Sequence, residues 1–179
     1  MKQEDRQLLL KDLCARMPYG LKGTVGIEVS TGEYSIESGH LLFMEKEIDV
    51  ELLEINKDTE EIEVHSLDNN IDLSEYDYTI DDFKPYLRPL SSMTEEEAKE
   101  ISILYGLKDI LSIKIKDEYI EVVVDDGVCS TEIRTIWYDE IMSSIEIFDF
   151  LNAHHFDYRG LIPKDLAIEV TKENNPYKE

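Results

Sequence analysis

The chain has 179 residues, 42% of them apolar and 9% aromatic, enough to bury one core or one core with a small appended lobe, which excludes global disorder. Its 41 acidic residues against 18 basic ones give a formal charge of −23 and a pI near 4.4. A surface this negative repels nucleic-acid phosphates and anionic membranes, so no direct nucleic-acid or membrane partner is expected, and basic proteins or divalent cations are what it attracts.

The first segment, Glu4 to Met17, has helical spacing: Leu9, Leu13 and Met17 fall on one stripe, with Asp12 and Arg16 pointing away. Pro18-Tyr19-Gly20 stops it. A β-rich region follows over about 21–66. Val25, Ile27 and Val29 alternate with polar neighbours, Thr31-Gly32-Glu33 reads as a turn, and Tyr34 to Glu37 as a short return strand. Ile48, Val50 and Leu52, then Ile62 and Val64, alternate with acids on either side of Asn56-Lys57-Asp58, which predicts an antiparallel hairpin exposing Glu51, Glu61 and Glu63.

From Asp68 to Asp82 the chain turns polar. Between Glu45 and Asp82 stand fifteen acids against only Lys46 and Lys57. The stretch is too rich in Ile, Leu and Tyr for a disordered tail, so it is read as a folded acidic surface. Phe83 to Leu90 is extended around Pro85 and Pro89. Thr94 and Glu97 then form a capping box for a helix over 95–105, ended by Gly106. A second β set spans about 111–136, with Asp125-Asp126-Gly127 as its hairpin turn and a return strand from Val128 to Ile136. A third helix is predicted over 139–152, stacking Ile141, Ile145 and Phe148, and residues 171–179 read as a flexible tail. The fold class is therefore α+β: two β sets packed with three helices, as a single domain over 1–170 or as two β-rich lobes (18–90 and 106–140).

Chemistry-bearing patterns are sparse. His154, His155 and Asp157, with Asp149 shortly before, form the one cluster of metal-ligand types, but adjacent helical side chains diverge by about 100° and cannot converge on one ion. The plainer reading caps the helix with one histidine and packs the other. Asp125-Asp126-Gly127 lacks the ligand spacing of a calcium loop, and Gly20, Gly23 and Gly26 match no phosphate-binding pattern. Cys14 and Cys129 carry no CxxC signature and no disulfide framework. No catalytic set and no cofactor are implied. Met1 to Asp5 lacks a signal-peptide pattern, and no apolar run nears the roughly 18 residues of a membrane span, so the expected location is cytoplasmic. Lys84 and Arg88 follow the acidic stretch directly, where they pin the segment to its carboxylates or contact a partner.

Three stretches, Lys11 to Gly20 (KDLCARMPYG), Phe83 to Glu97 (FKPYLRPLSSMTEEE) and Phe150 to Ile162 (FLNAHHFDYRGLI), cover about a fifth of the chain. Together they resemble a family of uncharacterised proteins frequent in Bacteroidetes genomes, their prophages and phages. The family has no established activity, so the resemblance implies a bacterial or phage setting and carries no catalytic residue. The expected function is a non-enzymatic acidic binding protein acting on a host or phage protein, with mimicry of DNA charge as one form. Its candidate contacts are Glu51, Glu61, Glu63, Asp72, Glu75, Asp77, Asp81, Asp82, Tyr86 and Arg88. The alternatives are a metal-binding protein or enzyme using His154 or His155, and an assembly component of a mobile element.

Overall fold

The computed structural model of the chain describes residues 1–35, 40–127, 130–141 and 144–178. The fold is α+β. Its helices are α1 (Gln3–Arg16), α2 (Glu95–Leu104) and α3 (Ile145–Ala153). Its strands are β1 (Lys22–Tyr34), β2 (Leu41–Ile55), β3 (Glu61–Ser66), β4 (Tyr78–Thr79), β5 (Lys84–Leu87), β6 (Ile110–Ile115), β7 (Tyr119–Asp125), β8 (Thr131–Trp137) and β9 (Ile168–Glu169). The chain divides into two units: Met1–Tyr86 with Asp165–Ile168 and Lys172–Glu179, and Leu87–Lys164 with Glu169–Thr171. No helix among the described residues is long and apolar enough to cross a membrane.

In the first unit, α1 buries Leu9 and Leu13, as its periodicity predicts. Asp12 and Arg16, expected to point away, are instead completely buried, with Arg16 Nε donating to Asp12 Oδ2 at 2.7 Å. The stripe argument counts each charge as outward, but opposite charges at i and i+4 neutralise each other and can enter the core together.

The sheet order is β4-β3-β2-β1-β5-β9. β1 and β2 form a long antiparallel hairpin, with Val25 opposite Ile48 and Gly23 opposite Val50. The turn predicted at Thr31-Gly32-Glu33 lies within β1 instead. Gly32 takes a φ of 74° where the register shifts. The local hydroxyls absorb the displaced backbone groups: Gly32 N–H donates to Ser30 Oγ and Glu33 N–H to Thr31 Oγ1. Of the return strand predicted over Tyr34 to Glu37, Tyr34 is the last residue of β1, Ser35 lies in no strand, and residues 36 and 37 fall outside the described ones.

The predicted hairpin of β2 and β3 is present, closed by Asn56 Oδ1, which accepts from the N–H groups of Asp58 and Thr59. Gly23 marks the close approach of the next strand, since a Cβ there would stand 2.5 Å from the Lys84 carbonyl and the Phe83 ring. The C-terminal residues, expected to fray, are tied to this unit by Tyr177. Its hydroxyl donates to the Tyr86 carbonyl at 3.0 Å and accepts from Lys22 N–H at 3.2 Å.

The second unit packs α2 and α3 with the sheet β6-β7-β8 around Ala98, Ile101, Ile120, Val122, Ile136 and Leu151. The capping box of Thr94 and Glu97 forms as predicted. Helix α3 starts later than expected, at Ile145 rather than near 139. Ser144 supplies the cap by accepting from Ile147 N–H, and Glu140 N–H closes a turn on the Trp137 carbonyl. The buried face is therefore Ile147, Phe150 and Leu151, while Ile145 is 73% exposed. The predicted start of β8 at Val128 falls outside the described residues, and the strand begins at Thr131.

Candidate functional site: an acidic sheet face and groove

Strand register decides where the carboxylates of the first unit point. Residues directly opposite in a sheet share a face, and alternate residues share it along a strand. Glu28 stands opposite Glu45, Gly26 opposite Glu47, Thr24 opposite Asp49 and Lys22 opposite Glu51. Glu51 is in turn opposite His65, and beyond an irregularity in β2 Glu54 is opposite Glu63. One face of β1, β2 and β3 therefore carries Glu28, Glu45, Glu47, Asp49, Glu51, Glu54, Glu61 and Glu63. The other carries Val25, Ile27, Ile48, Val50, Leu52 and Ile62, all buried. The same alternation that builds the core thus gathers the acids.

A groove of about 620 Å³ adjoins this face. It is lined by five consecutive residues of β1, Thr24 to Glu28, together with Glu45, Glu47, Tyr76, Asp77, Tyr78, Asp81, Asp82 and Lys84. Successive strand residues point to opposite faces, so a groove touching all five runs along the strand's edge. Tyr76 stacks on Tyr78 with ring centroids 5.9 Å apart, and its hydroxyl donates to the Glu28 carbonyl at 3.3 Å. Tyr78 is only 7% exposed. Burial, followed by the nearness of Tyr76 and Asp82, raises its pKa and keeps the hydroxyl protonated.

The predicted contacts separate into groups. Glu51, Glu61 and Glu63 lie on the acidic face, and Asp77, Asp81 and Asp82 line the groove. Asp81 also pairs with Arg6 at 2.9 Å, and Asp82 closes a box with Thr79. Asp72 and Glu75 are exposed in the loop before β4; the Ser74 N–H donating to Asp72 holds that carboxyl below its ordinary pKa. Tyr86 is buried and donates to Asp49 Oδ1 at 2.8 Å, so it positions an acid rather than offering a free contact. Lys84 pairs with Asp165 at 3.0 Å. Arg88 belongs to the second unit, where it forks onto Glu97 and lies over the Phe156 ring at 4.3 Å. Glu28, Glu45 and Glu47 were absent from the predicted contacts. The signal for Glu45 and Glu47 is the odd-numbered series Glu45, Glu47, Asp49, Glu51 along one face of the strand, whereas Glu28 joins that face only by pairing with Glu45.

The histidine motif is built into the second unit. His154 is the C-cap of α3 and stacks on Phe150 at 4.1 Å; its Nδ1 lies 3.0 Å from the Phe150 carbonyl. His155 is buried, and its carbonyl accepts from Arg88 N–H. Asp157 accepts from the N–H groups of Leu161 and Ile162, while Asp149 is exposed. Among the described residues no group of three or more His, Cys, Asp or Glu side chains is placed to hold a metal ion. Cys129 lies outside the described residues. Comparison of the chain with protein-family models, with curated proteins and with solved structures gives no match.

Proposed function

We propose that the chain is a non-enzymatic acidic binding protein whose first unit engages a basic protein through the acid-bearing face of its sheet. The carrying observation is the register that puts eight carboxylates on one face of β1, β2 and β3. Such a face attracts and orients a positive surface from a distance, and one form of this is occupation of a phosphate-binding groove in place of DNA. The sequence resemblance suggests a phage or prophage setting, with a host protein as the target. The histidine cluster gives the metal-binding alternative no comparable support, because His154 is stacked and Asp157 is committed to two backbone N–H groups.

The test is affinity capture from a Bacteroidetes host lysate, run in parallel with a variant in which Glu45, Glu47, Glu61 and Glu63 are changed to Gln. A basic protein retained by the wild type, lost by the variant and eluted by moderate salt supports the reading. Duplex DNA competing for the same partner supports charge mimicry. Identical captures by both proteins sink the proposal.

A further inference from the structure

We infer that the outer edge of β1, from Val25 to Ser30, docks an extended basic segment of the partner, which adds to the sheet as a further strand. This rests on the reading of the first unit as a binder of basic proteins and specifies how it binds.

The direction of the β1 backbone groups can be read from their bonds. Lys22 N–H donates to the Tyr177 hydroxyl, Thr24 pairs with Lys84 of β5, and the Glu28 carbonyl accepts from Tyr76. Leu21, of the opposite parity, presents its carbonyl to Leu52 N–H in β2. In an antiparallel ladder both backbone groups of a residue point to one side, and alternate residues to opposite sides. Gly26, Glu28 and Ser30 therefore point away from β2. Among the described residues, β1 pairs with β5 only at Gly23 and Thr24, and no other strand meets this edge. The exposed Tyr76 hydroxyl touches it at 3.3 Å, on the Glu28 carbonyl.

The walls select the occupant. Glu28, Glu45 and Glu47 stand beside the groove with Asp77, Asp81 and Asp82, against Lys84 as the one cation among the described lining residues and Arg6 paired to Asp81. A second copy of this −23 chain is repelled, and a Lys- or Arg-bearing segment is drawn in. Glu45 leans over Gly26: a Cβ there would stand 2.8 Å from Glu45 Oε1. Tyr78, which also lines the groove, is 7% exposed, and its buried hydroxyl has no hydrogen-bond partner among the described residues. Strand addition uses main-chain hydrogen bonds for affinity and alternate side chains for selection, which matches an open edge flanked by charge.

The probes are a short acetylated peptide alternating Lys or Arg with Thr or Val, and its fully N-methylated counterpart of equal charge. Binding is measured by isothermal titration at low salt, and amide exchange of the intact protein by NMR. The unmethylated peptide is expected to bind at least about tenfold more tightly, as two or more hydrogen bonds of about 0.5–1.5 kcal/mol each require. Only that peptide should slow exchange at Gly26, Glu28 and Ser30. Equal affinities, or unprotected amides at those residues, overturn strand addition and leave the acidic-face reading standing. Failure of both peptides to bind overturns both readings.

Discussion

Arg88 grips Glu97 with two hydrogen bonds, Nη1 to Oε1 at 2.6 Å and Nη2 to Oε2 at 2.9 Å, while that same carboxylate caps α2 by accepting from Thr94 N–H at 2.7 Å. The Arg88 backbone meanwhile bonds His155 and Asp157 on both sides, and its guanidinium lies over Phe156. One residue thus joins the Thr94–Glu97 cap of the second sequence motif to His155, Phe156 and Asp157 of the third. Changing Arg88→Ala should cost about 1.5–3 kcal/mol, the scale of hydrogen bonds to a charged group. Arg88→Lys should recover only part of it, since an ammonium cannot form the fork. Urea unfolding followed by circular dichroism measures both.

The pH dependence of the second unit follows from the same pair. Burial opposes ionisation of Glu97, but hydrogen bonds from Arg88 and Thr94 outweigh it and hold the carboxyl below its ordinary value of 4.5. A carboxyl whose folded pKa is depressed contributes stability that is full above the unfolded pKa and is lost as pH falls through the folded one. The second unit should therefore weaken as pH drops below about 4.5. Glu97→Gln should flatten that part of its stability profile, and an unchanged acid limb in the variant would rule out this assignment.

The buried pair in α1 makes a prediction of a different kind. Asp12 and Arg16 have side chains 0% exposed, so removing one takes a direct ionic partner from a charge held in the core. Arg16→Met should cost about 3–5 kcal/mol, whereas the double change Asp12→Leu with Arg16→Met should recover most of the loss. The double-mutant cycle in chemical denaturation reads the coupling directly.

Much of this architecture is legible in the sequence because the cues are local. Thr94 and Glu97 satisfy each other within one turn, and Val25, Ile27 and Val29 carry the strand period without help from distant residues. What escapes depends on partners far along the chain or on pairs that cancel. Asp12 is outward by its charge until Arg16 neutralises it. Tyr177 belongs to a frayed end until Lys22 and Tyr86 receive its hydroxyl. The acidic region is visible as composition, but its face is set by register, and register is fixed by pairing between β1, β2 and β3. Arg88 is read as a partner of the acids that precede it, and only the fold brings Glu97 to it.

The acidic face carries an intrinsic cost in the free protein. Glu54 and Glu63 stand directly opposite each other, as do Glu28 and Glu45. Like charges across strands are destabilising, on the scale of about 0.2–1 kcal/mol. Glu63→Lys should raise stability by that amount while weakening capture of a basic partner. Added salt should stabilise the wild type more than the variant, because screening relieves the repulsion that the variant has already lost. Melting temperatures at low and high ionic strength provide the comparison, and equal salt shifts would contradict it.

Two tyrosines of the first unit should answer the same substitution with opposite signs. The Tyr86 hydroxyl donates to Asp49 Oδ1 at 2.8 Å, so Tyr86→Phe gives up a charge-assisted bond and should cost about 1.5–3 kcal/mol. Tyr78 is as deeply placed, at 7% exposed against 8%, yet its hydroxyl is buried without a hydrogen-bond partner among the described residues. Tyr78→Phe removes a polar group that bears its desolvation penalty without return, so the free protein should be as stable as the wild type or more stable, by up to about 1 kcal/mol. If an incoming segment satisfies that hydroxyl, the same change should weaken peptide binding by about three- to tenfold, the loss expected of one hydrogen bond. Stability gained and binding lost in one variant would place the Tyr78 hydroxyl in the interface. Stability lost instead would show that the hydroxyl is already satisfied in the free protein.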